Sequence, residues 1–175
     1  MLALVDACRG ADRGVTGRVV FYGDPVPEQV ESLDIGVTWE PNAPDAVLLS
    51  ADVGPSTLAL NAHPDDPDDR CVVLTWTGCR YASMAPPNDE AISGHRLWVK
   101  GLQGLLWLGV VHDSELIARL ELQNRIHPMH RASLFESLTH YVLPLKECVV
   151  EVAARDLAVH RIGGTTVEAA VRARD

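Results

Sequence analysis

The sequence predicts an α+β fold, a mainly antiparallel β-sheet with one principal helix at about residues 113–127 and a short second helix packed on one face. The first observation behind this prediction is a series of closely spaced apolar runs, separated by short connections rich in Gly, Pro and Asp. The second is that only one long stretch has clear helical spacing. A parallel βαβ architecture would need a helical pattern between successive strands, so these observations favour antiparallel pairing.

Strands are predicted where β-branched, aromatic or alternating apolar residues lie between turn residues. Residues 17–23 form the first such run, and in residues 33–39 apolar and polar positions alternate. The connections 52–55 and 63–70 are of hairpin type, so the strands that flank them are predicted to pair. The other predicted strands are residues 46–50, 56–61, 71–76, 80–84, 96–100, 105–111, 141–145 and 148–154.

The principal helix is predicted to begin after Asp113 or Ser114, since either side chain can cap its first turn. His127 precedes a proline, which excludes it from the α region and ends the helix. One apolar face of this helix is predicted to be buried, formed by Leu116, Ile117 and Leu120. A second helix is predicted over residues 133–138. The tail after Ile162 is predicted to form a last amphipathic turn or to fray.

Length and charge limit the classes of function. A chain of 175 residues is predicted to form a single globular domain, with residues of about 1–14 and 163–175 at its periphery. The formal net charge is −9 and the only lysines are Lys100 and Lys146, so no basic patch is available to bind nucleic acid. The longest apolar run, residues 105–111, is too short to span a membrane.

Cysteine usage predicts the compartment, and overall composition indicates the kind of source genome. The four cysteines form no C-x-x-C pair, and the first residues lack the pattern of a signal peptide, so a cytoplasmic protein is expected. Abundant Ala, Val and Arg with scarce Lys is typical of a bacterial genome of high GC content. Neither observation indicates an oligomeric state.

Residues 84–98 form a polar, turn-rich stretch between two predicted strands. Its prolines, Pro86 and Pro87, cannot donate backbone hydrogen bonds, so the chain must leave the sheet there. Glu90 and His95 are the candidate catalytic pair, a carboxylate and an imidazole five residues apart. The candidate ligand-binding residues are Asn88, Asp89 and Asn124, and the candidate metal ligands are His127 and His130. As an alternative, Asn88 or Asp89 caps a short helix that begins at Glu90 and ends at Gly94.

Two short motifs resemble those of a zinc enzyme family. The run Ala62-His63-Pro64-Asp65-Asp66, together with His127-Pro128-Met129-His130, resembles the zinc-dependent deacetylases that act on N-acetylglucosaminyl groups. The resemblance implies that His63 and Asp66, with His127 or His130, hold zinc, and that Asp65 is the general base. It covers about nine residues. That family places its motif near the start of a parallel α/β sheet, whereas here it falls in a predicted hairpin loop.

Other residues carry weaker functional hypotheses. Cys148, with His140 upstream, could form a nucleophile and its base, or could be a small buried hydrophobe. Trp76, Trp98 and Trp107 could stack on a ligand or fill the core. Glycine-rich phosphate-binding loops and the G-x-S-x-G motif are absent from the sequence.

The sequence therefore predicts a cytoplasmic, non-catalytic module that binds a small molecule or a protein partner. The alternative is a metal-assisted hydrolase that uses His and carboxylate groups from residues 63–66, 88–95 and 127–130. A divalent metal such as zinc would be the cofactor of that alternative. The two hypotheses differ in whether the three segments meet in space.

Overall fold

The computed structural model describes residues 27–175, and the predicted strand at residues 17–23 lies outside this range. The strands are β1 Gln29–Ser32, β2 Val47–Leu49, β3 Ser56–Leu60, β4 Cys71–Thr77, β5 Tyr81–Ala85, β6 Gly109–His112, β7 Thr139–Pro144, β8 Val149–Ala154 and β9 Asp156–Ile162. The α-helices are α1 Glu115–Asn124, α2 Ser133–Glu136 and α3 Thr166–Arg172. Three short 3₁₀ turns, Ile92–Gly94, Trp98–Lys100 and Leu102–Gly104, lie between β5 and β6.

The described strands form two antiparallel sheets. The first sheet has the order β1-β6-β7-β8-β5, and the second has the order β2-β3-β4-β9. Both predicted hairpins are present, because Leu58 of β3 pairs with Leu48 of β2 on one side and with Leu74 of β4 on the other. The predicted α+β class with mainly antiparallel strands is therefore confirmed.

The two sheets pack face to face around the main core. The second sheet contributes alternate residues such as Leu58, Leu74 and Trp76, and the first sheet contributes residues such as Leu143 and Val152. All five side chains are fully buried. Because side chains alternate between the faces of a strand, the residues between these in the first sheet point to its outer face.

The outer face of the second sheet is covered by α3. Ala169 and Ala170 are fully buried against Ala59 and Val73, and these small side chains allow a close approach of helix and sheet. Thr165 begins the helix through a capping box with Glu168. Of the two outcomes predicted for the tail, the amphipathic turn is thus the correct one. The strand β9, which precedes α3 in the chain, was not predicted, because the exposed positions of β9 leave it without a continuous apolar run.

The outer face of the first sheet is covered by residues 86–108. Leu97 and Leu102 are buried there against Val30, Val111 and Val142. The predicted strand at residues 96–100 is therefore wrong. Instead of forming a further strand, this part of the chain makes a series of tight turns, from which Leu97 covers the sheet.

Residues 33–39 also differ from the prediction. Only Trp39 pairs with another strand, through an isolated bridge to Ala62. Gly36 has a φ of 70°, and its N–H donates to the carboxylate of Asp34 over 2.8 Å, so a local turn interrupts the alternating pattern. In the predicted strand at residues 105–111, pairing begins only at Gly109.

The helix α1 begins where it was predicted to begin. Ser114 is its N-cap, and the Ser114 Oγ accepts a hydrogen bond of 3.2 Å from the Ile117 N–H. Leu116 is buried, whereas Ile117 and Leu120 are only half-buried, because α1 packs mainly against the short α2. The helix ends at Asn124, three residues before His127, where the sequence predicted its end. Within residues 27–175, no helix combines the length and apolar character needed to cross a membrane.

Candidate functional site

A groove lined by three tryptophans lies beside the connection that covers the first sheet. We call it the tryptophan groove, and it encloses about 310 Å³. Trp39, Trp98 and Trp107 supply its aromatic walls, and four apolar side chains of the same connection also line it, namely Ile92, Leu102, Leu105 and Leu106. This volume lies at the lower end of the range for small-molecule sites, and the mainly apolar lining is typical of them.

Two tryptophans of the groove pack against each other. The rings of Trp39 and Trp107 meet edge to face, with centroids 5.3 Å apart and planes 80° apart, a favourable aromatic arrangement. Trp39 is buried, whereas Trp98 and Trp107 remain half-buried and can contact a ligand. Trp76, the third tryptophan that the sequence offered for stacking, is fully buried in the main core.

The rim of the tryptophan groove is polar. Asp89, a predicted ligand-binding residue, forms an ion pair of 2.5 Å with Lys146, and the Asp89 N–H donates to the Lys146 carbonyl over 3.0 Å. The side-chain amides of Asn42 and Gln103 also border the groove, and within residues 27–175 neither amide makes a hydrogen bond. The rim therefore offers free donors and acceptors next to aromatic surfaces.

Beyond Asp89, two of the predicted residues of this segment, Asn88 and His95, have structural partners. The Asn88 Oδ1 accepts a hydrogen bond of 3.2 Å from the Ala91 N–H, but the short 3₁₀ turn begins at Ile92 and not at Glu90, and it ends at Gly94 as the alternative predicts. Glu90 is exposed. His95 lies beside a different carboxylate, with its Nε2 3.6 Å from the Glu151 Oε1. The structure thus pairs His95 with a carboxylate of β8 that the sequence did not suggest.

A cluster of charged and polar side chains lies on the outer face of the first sheet. We call it the Glu151 cluster, and it comprises Glu28, His95, Arg96, His140 and Glu151. Arg96 joins the two carboxylates, with contacts of 2.9 Å to Glu28 and 2.5 Å to Glu151. His140 and Glu151 lie on the same sheet face, because Glu151 pairs with Val142, two residues after His140.

Burial and charge act in opposite directions on this cluster. Burial would raise the pKa of the Glu151 carboxyl, but contact with His140 and the charge of Arg96 outweigh it and lower that pKa below its ordinary value. For His95, burial dominates and lowers the pKa, although the Glu151 carboxylate partly opposes this change. The cluster at neutral pH therefore contains ionised carboxylates beside a neutral His95.

Glu28 is the most enclosed charge of the cluster, with no exposed side-chain surface. Its carboxylate accepts hydrogen bonds from Arg96 over 2.9 Å, from Lys100 over 2.8 Å and from the Glu115 N–H over 2.8 Å. Burial would raise the pKa of the Glu28 carboxyl, but these donors and charges lower it. The carboxylate joins β1, the connection after β5 and the start of α1.

Ser114 extends the Glu151 cluster towards α1 through its contact with His140. The Ser114 Oγ lies 2.8 Å from the His140 Nδ1, and the His140 Nε2 lies 3.0 Å from the Glu151 Oε2. The second contact is close but poorly aligned, so it is an electrostatic contact and not a hydrogen bond. His140 is fully buried, and both its ring nitrogens therefore face other side chains.

The predicted residues at the end of α1 lie in a separate hollow. The His130 Nδ1 lies 3.1 Å from the Asn124 Oδ1, and the His130 Nε2 lies 2.9 Å from a carboxylate oxygen of Glu121. His127 is exposed, and its Nδ1 accepts a hydrogen bond from the Met129 N–H. Asn124 and His127 line a hollow beside Phe135, whereas Asp89 lines the tryptophan groove.

The residues that resemble a zinc deacetylase motif likewise have individual partners. The His63 ring lies against Trp107, with centroids 6.2 Å apart, and Asp66 forms an ion pair with Arg161 of β9. Asp65 is almost completely exposed. Across residues 27–175 there is no group of three or more His, Cys, Asp or Glu side chains with a geometry that could hold a metal ion.

The surroundings of Cys148 do not favour the nucleophile hypothesis. It is half-buried beside the main core, and burial raises the pKa of its thiol, which disfavours the reactive thiolate. His140 contacts Ser114 and Glu151, and it pairs with Ala153, five residues beyond Cys148, at the other end of the β7–β8 ladder. These observations favour the small buried hydrophobe.

Sequence reasoning missed most of the Glu151 cluster. Glu28, His140 and Glu151 are far apart in the chain and belong to no recognised motif. The available signal was a charged or polar residue in an otherwise apolar strand, such as Glu151 between Val150 and Val152. A buried charge of this kind requires partners, which the fold supplies from other elements.

No protein-family model, curated protein or solved structure matches this chain.

Proposed function

We propose that this chain is a binding module that takes a small organic ligand in the tryptophan groove. The observation that carries the proposal is the combination of half-buried Trp98 and Trp107 with the unpaired amides of Asn42 and Gln103. Aromatic faces bind the apolar side of a ring, and amides orient the hydroxyl or carbonyl groups at its edge. A ring-shaped ligand with polar substituents, such as a monosaccharide or a nucleoside, fits this chemistry.

The lining of the groove supports binding without reaction. Among residues 27–175, those around the groove include no His, Ser, Thr or Cys side chain, and therefore none of these nucleophiles and no imidazole base. The one carboxylate that this part of the chain places there, Asp89, is engaged by Lys146. The ion pair also borders one side of the groove. Either of its charged groups can turn towards a ligand group of opposite charge.

The proposal is tested by titration of purified protein with panels of monosaccharides, disaccharides and nucleosides. Binding beside Trp98 and Trp107 should change the intrinsic tryptophan fluorescence and raise the denaturation temperature. For any ligand so found, Trp98→Ala should weaken binding by at least about tenfold, which corresponds to about 1.4 kcal/mol. Val99→Ala is the matched control, because Val99 is the next residue and is 82% exposed.

Two results would contradict the proposal. One is the absence of any fluorescence change or thermal shift across the whole panel. The other is a ligand that binds Trp98→Ala as tightly as the wild-type chain, since that ligand would lie elsewhere on the protein.

A further inference from the structure

A second site, separate from the tryptophan groove, is formed by Ser114, His140 and Glu151. We propose that Ser114 is a nucleophile and His140 its base, in a hydrolase that acts on small carboxylic esters. The carrying observation is the sequence of contacts from the Ser114 Oγ to the His140 Nδ1, 2.8 Å, and from the His140 Nε2 to the Glu151 Oε2, 3.0 Å. A nucleophile, a base and a carboxylate beside the base are the parts that acyl transfer requires.

A groove beside Ser114 provides room for the ester. It encloses about 770 Å³ between β6, α1, α2 and β7, and both Ser114 and His140 line it. Ile117, Phe135 and Leu138 give it apolar walls, which suit the acyl chain of a substrate. Ser114 is largely buried, at 9% exposure, and the groove that it lines is the side from which we expect a substrate to approach.

The surroundings of His140 fix the direction of proton transfer. When the ring proton lies on Nε2, next to the Glu151 carboxylate, the Nδ1 is an acceptor for the Ser114 hydroxyl. The Ile117 N–H donates to the same Oγ over 3.2 Å, which stabilises negative charge on that oxygen. Arg96 contacts the Glu151 Oε2 over 2.5 Å and thereby holds the carboxylate beside the imidazole.

The reaction proceeds in two balanced steps. In the first, the Ser114 Oγ attacks the ester carbonyl carbon while its proton passes to the His140 Nδ1. The carbon–oxygen bond to the alcohol then breaks, and the alcohol leaves with that proton. In the second step, water attacks the acyl-Ser114 ester and gives a proton to His140. The Ser114 Oγ departs and takes the proton back, so that ester and water yield acid and alcohol.

A helix cap alone does not require this arrangement. The other capped α-helix, α3, begins with Thr165 and the reciprocal hydrogen bonds of Glu168, and its cap involves no histidine. At α1, by contrast, the capping serine contacts a fully buried imidazole, which in turn contacts a carboxylate. The added groups are those that activate a hydroxyl.

The experiment uses the full chain with p-nitrophenyl butyrate as substrate and a biotinylated fluorophosphonate as a probe of activated serines. The wild-type chain should release nitrophenolate faster than buffer alone, and mass spectrometry should locate the probe on Ser114. Ser114→Asn should lose both signals, because asparagine retains a capping oxygen but cannot attack a carbonyl. Ser133→Ala, at an exposed serine of α2, is the matched control and should retain both.

Glu151 acts through His140 and is a positioning residue, so its test separates the kinetic constants. Glu151→Gln should lower kcat by about 100-fold while KM stays unchanged, since the ester contacts the groove and not this side chain. A purely structural role would change the denaturation midpoint and leave kcat of the remaining folded protein intact.

Three results would overturn the proposal. The wild-type chain could release no nitrophenolate above buffer and take up no probe, the probe could label another serine, or folded Ser114→Asn could retain the wild-type rate. The labelling site is read on the wild-type chain, so it decides the matter even where Ser114→Asn fails to fold. Since the tryptophan groove shares none of these residues, failure here leaves the proposed ligand binding untouched.

Discussion

At the scale of single residues, the molecule concentrates its buried charge on the outer face of the first sheet. Glu28 has no exposed side-chain surface, yet it remains ionised because Arg96, Lys100 and the Glu115 N–H all donate to it. Glu151 shares Arg96 and contacts two histidines. Each carboxylate therefore depends on partners from other segments, and its ionisation is tied to the folded state.

This dependence predicts a loss of stability in acid, beginning with His95. Burial lowers the pKa of His95 below its ordinary value of 6.5, so between these two values the unfolded chain binds a proton that the folded chain does not. The contribution of His95 is thus fully present above about pH 6.5 and is lost as the pH falls through the lowered pKa. The denaturation temperature should fall between pH 7 and pH 5.5, and by less in His95→Gln.

The matched control is His127→Gln, because the His127 ring is exposed at the end of α1. This variant should show the same pH dependence as the wild-type chain. An identical pH dependence in His95→Gln would mean that another group is responsible. Glu28 and Glu151 add a further loss of the same sign below about pH 4.5, since their pKa values are lowered from that ordinary value.

At the scale of elements, α1 shows how far an apolar pattern predicts burial. The pattern correctly placed the helix and its Ser114 cap, but it assigned Leu116, Ile117 and Leu120 equally to the core. Only Leu116 is buried, because α1 adjoins a groove and the short α2 and is not covered along its whole length. Periodicity indicates which residues share a face, and the neighbouring elements decide how much of that face is covered.

The burial difference along α1 predicts unequal costs of truncation. Leu116→Ala should lower the free energy of unfolding by about 2 to 5 kcal/mol, as buried leucines do. Leu122→Ala should change it by less than about 0.5 kcal/mol, because Leu122 is 61% exposed on the same helix. Urea denaturation of both variants measures the difference. Equal costs would show that α1 packs differently from the arrangement described above.

At the scale of the whole molecule, each sheet needs a cover for its outer face. The connection 86–108 supplies it for the first sheet, and α3 supplies it for the second. The hydroxyl of Thr57 donates to the Ala170 carbonyl over 3.0 Å, which ties the helix to β3. The final residues of the described chain are therefore a structural part of the sandwich.

Removal of α3 should thus cost more than loss of its cap. Thr165→Ala should destabilise the chain by about 1 kcal/mol, the usual cost of a lost N-cap. A chain that ends at Ile162 should be destabilised further, because Ala59 and Val73 become exposed and the Thr57 hydroxyl loses its acceptor. Thermal denaturation of both chains measures this order. A shortened chain as stable as the full one would exclude a covering role for α3.

The two candidate sites show which functional residues the sequence could indicate. Asp89 was identified because it lies in one polar segment, and Trp98 and Trp107 were identified because aromatic rings can stack on a ligand. The partner of His95 was misassigned, since Glu90 is near in sequence but Glu151 is near in space. Neighbours along the chain share a segment, whereas a sandwich brings distant strands together.

The sequence by itself determined the α+β class, the two hairpins, the start of α1 and the strands β7 and β8. These features follow from local causes, namely alternation, turn residues and a capping serine, which act within a few residues. Only the tertiary structure decided that residues 96–100 cover a sheet in place of joining one, and that Glu28, His140 and Glu151 form one cluster. Both outcomes depend on which distant surfaces need a cover and which buried charges need partners. Such requirements exist only once the sheets have packed.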